Sequence, residues 1–149
     1  MRDFFADKFE RDHHLNLGLI RFFELQEDDI PEFVFRSFSH MLNVHYLWNC
    51  RLKHVDSDSN EWDRLPLSYF SRFEDQNYQE TRNLLEHTDW EEMINYHSSE
   101  GIPLSGLTTD ILFHILQHSN YHRAQIIREL KLAGIQPPQT ELILIRSDQ

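Results

Sequence analysis

The chain has little of several residue types on which common folds and activities depend. Its 149 residues include one cysteine, Cys50, four glycines and five prolines. A lone cysteine excludes an internal disulfide and a paired-thiol redox centre. Few glycines and prolines leave little material for the many turns of an all-β fold. The composition therefore favours a mainly helical protein in which Cys50 is a reduced core residue.

Positive charge and long apolar runs are also scarce. Fourteen Lys and Arg stand against 25 Asp and Glu, which gives a formal net charge of −11. A surface of this sign repels phosphates and anionic headgroups, so we expect neither nucleic acid nor a membrane as partner. The sequence has no run of about 18 apolar residues that could span a bilayer, and its first residues are charged every few positions. We therefore expect a cytoplasmic protein and, from its length, a single domain over residues 1–149.

What the chain has in quantity is aromatic residues and helical periodicity. The 11 Phe, five Tyr and three Trp supply a bulky interior. Apolar spacing predicts an all-α fold, a four-helix bundle with a long crossover between helices two and three and a possible small β-hairpin before helix four. The predicted helices cover residues 2–26, 31–52, 75–86 and 110–132, and the predicted hairpin lies within 90–108 with its turn at 98–101.

Local signals refine these elements. Thr109 is the predicted N-cap of the last helix, and Asp110 suits the positive end of its dipole. Gly134 is the predicted residue after the helix end. The crossover, residues 53–75, contains apolar side chains that look buried, Trp62 among them. The apolar tail, residues 142–145, is predicted to pack on the body or on a second subunit.

The last helix carries a stripe of histidines. In DILFHILQHSNYHRAQIIRELKL, residues 110–132, His114, His118 and His122 recur at intervals of four. A step of four turns a helix by about 40°, so these imidazoles lie along one side and form a candidate metal edge. The spacing alone is a weak motif, and exposed or hydrogen-bonded helix histidines explain it equally well. Ser119 follows His118, which excludes an HExxH zinc protease.

Other histidines are less directly informative. His40 and His45, both in helix two, lie about 140° apart around its axis and cannot both face one compact centre. Of His13 and His14, both in helix one, we expect one to be exposed and the other to be partly buried. His97, in the hairpin, is predicted to be exposed.

Two motifs resemble those of the DinB/YfiT-like metalloprotein superfamily. HSNYHRAQI, residues 118–126, is similar to that family's last-helix pattern NHxxxHRGQI, with Ala124 in place of the usual glycine. SHMLNVHYLWNCRL, residues 39–52, resembles its second-helix pattern, a histidine followed eight residues later by tryptophan and then by arginine. The resemblance covers both motifs in the family's order and implies a metal site formed by His40, His118 and His122. Without it, His40 reads as a core histidine bonded to a backbone carbonyl.

The resemblance also assigns neighbouring roles. His114 is expected in the outer shell of the site or on the surface, and His13 or Asn16 could line the family's cavity. Arg123 and Gln125 accompany the histidine pair. One of them could hydrogen-bond a ligand's second nitrogen, or Arg123 could pair with a carboxylate of a neighbouring helix.

The implied function is metal chemistry. Three neutral imidazoles with an open fourth position suit zinc, and nickel or iron also bind such sites. The family uses low-molecular-weight thiols such as bacillithiol or mycothiol, which implies a metal-dependent thiol S-transferase acting on an electrophile. The alternatives are a metal-dependent hydrolase and a non-catalytic metal-binding or interaction bundle. Family habit and the apolar tail also imply a homodimer.

Overall fold

The computed structural model describes residues 1–140, and the apolar tail lies outside them. It confirms an all-α bundle with a small hairpin before the last helix. Glu27–Asp29 form a short 3-10 turn between the first two helices. The elements are α1 (Arg2–Leu25), α2 (Glu32–Leu52), α3 (Leu67–His87), β1 (Met93–His97), β2 (Pro103–Leu107) and α4 (Thr108–Leu132).

The helix directions follow from two apolar clusters at opposite ends of the bundle. One cluster joins the C-terminal halves of α1 and α4 to the N-terminal halves of α2 and α3, around Phe23, Phe38 and Phe70. The other joins the opposite halves and the hairpin, around Phe9 and Ile94. Helices α2 and α3 are therefore parallel, α1 and α4 run against them, and the crossover returns the chain along the bundle. The middle of the bundle, between these clusters, holds the buried polar residues.

Two features of the crossover correct the sequence-based expectation. Helix α3 begins at Leu67, in the turn after Pro66, whereas the prediction began it at Asp75. The Ser- and Arg-containing first turns hid the helical spacing of Leu67 and Phe70, which are both buried. The crossover is thus shorter than predicted and spans residues 53–66. Trp62 was expected to be buried, and 59% of it is exposed.

The hairpin leads directly into α4. Met93 pairs with Leu107 and His97 with Pro103, which confirms the predicted hairpin. The turn between the strands has a positive φ of 78° at Gly101. The backbone N–H of Thr108 donates to the carbonyl of Glu92, which fixes the helix start.

The ends of α4 show one wrong and two correct expectations. The helix begins at Thr108 after Leu107, so Thr109 lies inside the first turn and is not the N-cap. Asp110 lies in the first turn, where its charge suits the helix dipole. Gly134 has φ 76° and donates to the carbonyl of Lys131, which confirms its role after the helix end.

Burial and hydropathy describe three further features of the chain. Cys50 is a free, buried cysteine, as predicted. Phe33, an apolar residue in the first turn of α2, is 48% exposed and does not belong to the core. Within residues 1–140, no helix combines the length and the apolar character that crossing a bilayer requires.

Candidate metal centre

The fold brings His40, His118 and His122 together in the middle of the bundle. Each offers one ring nitrogen, and these three nitrogens lie within 4.8 Å of one another. The Nε2 atoms of His40 and His118 are 3.1 Å apart. Two zinc–nitrogen bonds at a tetrahedral angle hold their nitrogens about 3.3 Å apart. The spacing of His40 and His118 therefore fits two ligands of one ion, and His122 offers a third nitrogen within 4.8 Å.

Helix geometry explains this convergence. His118 and His122 are one turn apart on α4, so both project toward the neighbouring α2. Because α2 and α4 are antiparallel, the middle of one helix faces the middle of the other, and His40 lies opposite the pair. The ring centroid of His40 lies 5.0 Å from that of His118 and 4.8 Å from that of His122.

Hydrogen bonds set the tautomers of two of these rings. Nδ1 of His40 lies 2.9 Å from the carbonyl oxygen of Glu61, which can only accept, so this nitrogen carries the proton. Nδ1 of His122 lies 3.1 Å from the amide oxygen of Gln125 and donates in the same way. Both rings then present an unprotonated Nε2, the atom that binds a metal, while the bonded Nδ1 fixes the ring plane. The donor set fits a divalent transition-metal ion.

Burial keeps the two α4 histidines of this cluster neutral. His40 is 5% exposed, and His118 and His122 are partly buried. Burial, followed by the neighbouring imidazoles, lowers the pKa of His118 to about 3. Burial also lowers the pKa of His122. The α4 pair is therefore uncharged at neutral pH and needs no deprotonation before binding a cation.

The crossover covers one side of the centre. The indole of Trp62 stacks on the His40 imidazole, with ring centroids 3.7 Å apart and planes at 10°. Nδ2 of Asn43 donates to the carbonyl of Asp63 at 2.8 Å, and Ser39 Oγ accepts from the backbone N–H of Leu65 at 3.1 Å. These bonds fasten the crossover along α2. Sequence reasoning missed this contact of Trp62, because nothing local to residue 62 identifies its partner.

The other histidines lie outside the cluster. His45 is buried on the opposite side of α2, where its Nε2–H donates to Thr81 Oγ1 at 2.8 Å. His114 is more exposed, and its ring centroid lies 5.9 Å from that of His118. His13 is buried against Glu74, and its neighbour along the chain is exposed, as is the hairpin histidine.

Gln125 and Arg123 each take one of the two roles considered for them. Gln125 orients the ring of His122, as described above. Arg123 is 2% exposed and forms an ion pair with Asp12 of α1, with Nη1 and Oδ1 2.6 Å apart. We use the term ionic network for the buried side chains of Asp12, His13, Asn16, Glu74, Ser119 and Arg123.

Sequence reasoning missed most of the ionic network. Asp12 and Asn16 occur four residues apart on the otherwise apolar face of α1, and that spacing was an available signal for the α1 part. Glu74 had none, because its segment was assigned to the crossover. Asn16, which was considered as a cavity-lining residue, donates to Glu74 at 3.2 Å and belongs to the network.

Comparisons with known proteins agree with the motifs. The model of the DinB family matches residues 25–148 of the chain. A comparison with curated proteins and one with solved structures each find no match.

Proposed function

Because the chain belongs to the DinB family and its fold brings three imidazoles to one point, we propose that it binds a divalent metal ion and activates a low-molecular-weight thiol. The proposed ligands are His40, His118 and His122, and the thiol is transferred to an electrophile. The observation that carries the proposal is the convergence of three ring nitrogens within 4.8 Å of one another. Among them, the Nε2 atoms of His40 and His118 lie 3.1 Å apart.

The chemistry follows from the donor set. His40, His118 and His122, as neutral ligands, would hold a divalent ion without cancelling its charge. That ion would lower the pKa of a thiol from about 8.5 and supply thiolate at neutral pH. The sulfur then forms a bond to an electrophilic carbon. With a haloarene the carbon–halogen bond breaks and halide leaves, while the thiol proton goes to solvent. With an epoxide a carbon–oxygen bond breaks and the oxygen takes up a proton.

The residues around the centre support an external thiol. Cys50 is 3% exposed and lies outside the histidine cluster, so the chain offers no thiol of its own at this point. Trp62 covers His40 from the crossover side, whereas His118 and His122 are partly exposed. A small thiol can therefore approach along α4.

Metal analysis tests the site. We expect about one metal ion per chain in the purified wild type and a large loss in His122→Ala, because two imidazoles hold a divalent ion much less tightly than three. His114→Ala is the matched control, since it removes another exposed imidazole from the same helix outside the cluster. Unchanged metal content in His122→Ala would falsify the site. Anomalous scattering from crystals identifies the element.

Turnover tests the reaction. With a chlorodinitrobenzene as electrophile, we expect product only when metal and thiol are both present. Ester hydrolysis that needs metal but no thiol would indicate the hydrolase instead. Metal binding without either reaction would indicate a non-catalytic bundle.

The proposal includes a cytoplasmic homodimer. Exposed apolar side chains on α4, Phe113 at 52% and Tyr121 at 61%, support self-association. Light scattering of the purified protein measures the mass, and a monomer at micromolar concentration would contradict this part.

A further inference from the structure

We propose that the guanidinium of Arg51 binds the carboxylate of the thiol whose sulfur lies at the histidine cluster. The inference rests on the proposed thiol chemistry and adds the class of thiol that the site takes, one that carries a carboxylate. Arg51 lies at the C-terminal end of α2, away from the three ligands.

The guanidinium of Arg51 is held in place by aromatic rings and one carbonyl. Its centre lies 4.3 Å from the ring of Trp48 and 4.9 Å from that of Tyr96. Its Nη2 donates to the carbonyl oxygen of His97 at 3.3 Å. Within residues 1–140, no carboxylate lies within ion-pair distance of it. A half-buried, preorganised cation without an anionic partner is a suitable recognition group for one.

A cavity gives a ligand access to this cation. Its volume is about 430 Å³, which is within the range of small-molecule sites. It lies between the end of α2, the start of the crossover and strand β1. Its polar lining residues include Arg51, His54, Asp56, Ser57 and Asn95. The polar side chains offer further hydrogen bonds to a small, polar molecule.

Helix geometry places this cation on the same side of α2 as the metal centre. His40 and Arg51 are eleven residues apart, which corresponds to about 20° around the helix and about 16 Å along it. The crossover follows the same strip, because residues 55–57 line the cavity and Trp62 stacks on His40. The charge of Glu61, whose carbonyl holds His40, also acts on Arg51.

Helix α4 supplies a second connection. The ring of His114 lies 5.9 Å from that of His118 and 5.3 Å from that of Trp48, which in turn contacts Arg51. A row of side chains therefore leads from the metal centre to the cavity. An extended tripeptide spans about 10 Å, and the arginine side chain shortens the remaining distance. A thiol of tripeptide size can reach both ends.

The geometry favours a carboxylate over a phosphate. Two aromatic rings and the His97 carbonyl already contact the guanidinium, which leaves room for one planar, bidentate partner. A phosphate dianion prefers several cations, and the net charge of −11 opposes it.

Binding measurements on the metal-containing protein test the inference. The probes are reduced glutathione and its diethyl ester, which keeps the thiol and lacks both carboxylates. We expect Arg51→Gln to weaken glutathione binding at least tenfold in calorimetry, with ester binding and metal content unchanged. Arg51→Lys should recover part of the affinity, since it keeps the charge and loses the fork. Arg128→Gln, at an exposed arginine of α4, is the control and should bind as wild type does.

The outcomes separate this inference from the proposed function. Glutathione binding that is lost in His122→Ala and unchanged in Arg51→Gln overturns the inference and leaves the thiol function standing. A preference for glutathione over its ester that persists in His122→Ala and disappears in Arg51→Gln supports the carboxylate site and counts against thiol coordination. Equal weakening of both probes in Arg51→Gln, with wild-type helicity and melting temperature, also overturns the inference. Wild-type protein that binds neither probe overturns it for thiols of this size.

Discussion

The histidine cluster and the ionic network are two polar groups in the middle of the same bundle, and they differ in internal balance. Both depend on the same two turns of α4. His118 and His122 contribute to the cluster, and the residue after each, Ser119 and Arg123, contributes to the network. In the network, donors meet acceptors and a cation meets an anion. In the cluster, three rings direct a nitrogen toward one point, where the Nε2 atoms of His40 and His118 can share one N–H.

This difference indicates what each group does. Arg123 donates to Asn16 Oδ1 at 2.9 Å and to Ser119 Oγ at 2.7 Å, and Ser119 donates to Asp12 at 3.1 Å. Glu74 extends the network to α3, and burial raises its pKa. A network connected in this way holds α1, α3 and α4 in one register, although Arg123 Nε and Asp12 Oδ1 have no hydrogen-bond partner among the described residues. A cluster of ring nitrogens directed at one point suits a cation.

The largest expected loss of stability comes from breaking the ionic network. Arg123→Met leaves the carboxylate of Asp12 buried without its cation, which typically costs about 3 to 5 kcal/mol. Urea unfolding of the metal-free protein measures the loss. Adding Asp12→Asn to this variant should restore part of the stability, because it removes the stranded charge.

A matched substitution in the histidine cluster sharpens the contrast with the ionic network. His122→Ala in the metal-free protein should cost less than about 1 kcal/mol, since the side chain is partly exposed and its one hydrogen bond, to Gln125, is local to α4. Similar losses in His122→Ala and Arg123→Met would contradict the distinction between the two groups.

The pH dependence of stability gives a second, slightly smaller contrast. Burial lowers the pKa of His45 from 6.5 to about 4, against a raising effect of Asp12 and with a further lowering by His13. Its Nε2–H donates to Thr81, so the folded protein keeps the ring neutral. The unfolded chain takes up a proton below pH 6.5, so stability falls by about 3 kcal/mol as pH drops from 6.5 to about 4.

His45→Gln tests this effect, because glutamine can still donate to Thr81 and does not titrate. Urea unfolding of the metal-free protein between pH 7 and 4 should show a shallower fall than in the wild type. His118 faces the same interior cavity and titrates in both proteins, so the difference between them isolates His45. Parallel pH profiles would show that His45 is not kept neutral by the fold.

The histidine cluster could be predicted from the sequence better than the ionic network. The spacing of His118 and His122 on one helix identified this pair, and the motif resemblance selected His40 over His45 as their partner. The partners of Arg123 come from α1 and α3, at positions remote in sequence, and no local pattern specifies a pairing across helices. The start of α3 was missed for a similar reason, because the burial of Leu67 and Phe70 depends on contacts with α1 and α2.

The smallest expected effect concerns the boundary between the two groups, at Gln125. This residue belongs to α4 like Arg123, but its amide oxygen accepts from Nδ1 of the ligand His122. Gln125→Ala removes the acceptor that fixes the ring's tautomer and plane, and loss of such a partner typically weakens metal binding about tenfold. Competition with a chelator measures the affinity.

The network predicts that stability will not follow this affinity. Because Gln125 is partly buried and has no partner in the ionic network, metal-free Gln125→Ala should unfold within about 0.5 kcal/mol of the wild type. Gln125→Glu keeps an acceptor at the same place and should retain most of the affinity. If Gln125→Ala lowers stability as Arg123→Met does while metal affinity stays unchanged, Gln125 acts with the ionic network. The orientation of His122 would then come from helix packing alone.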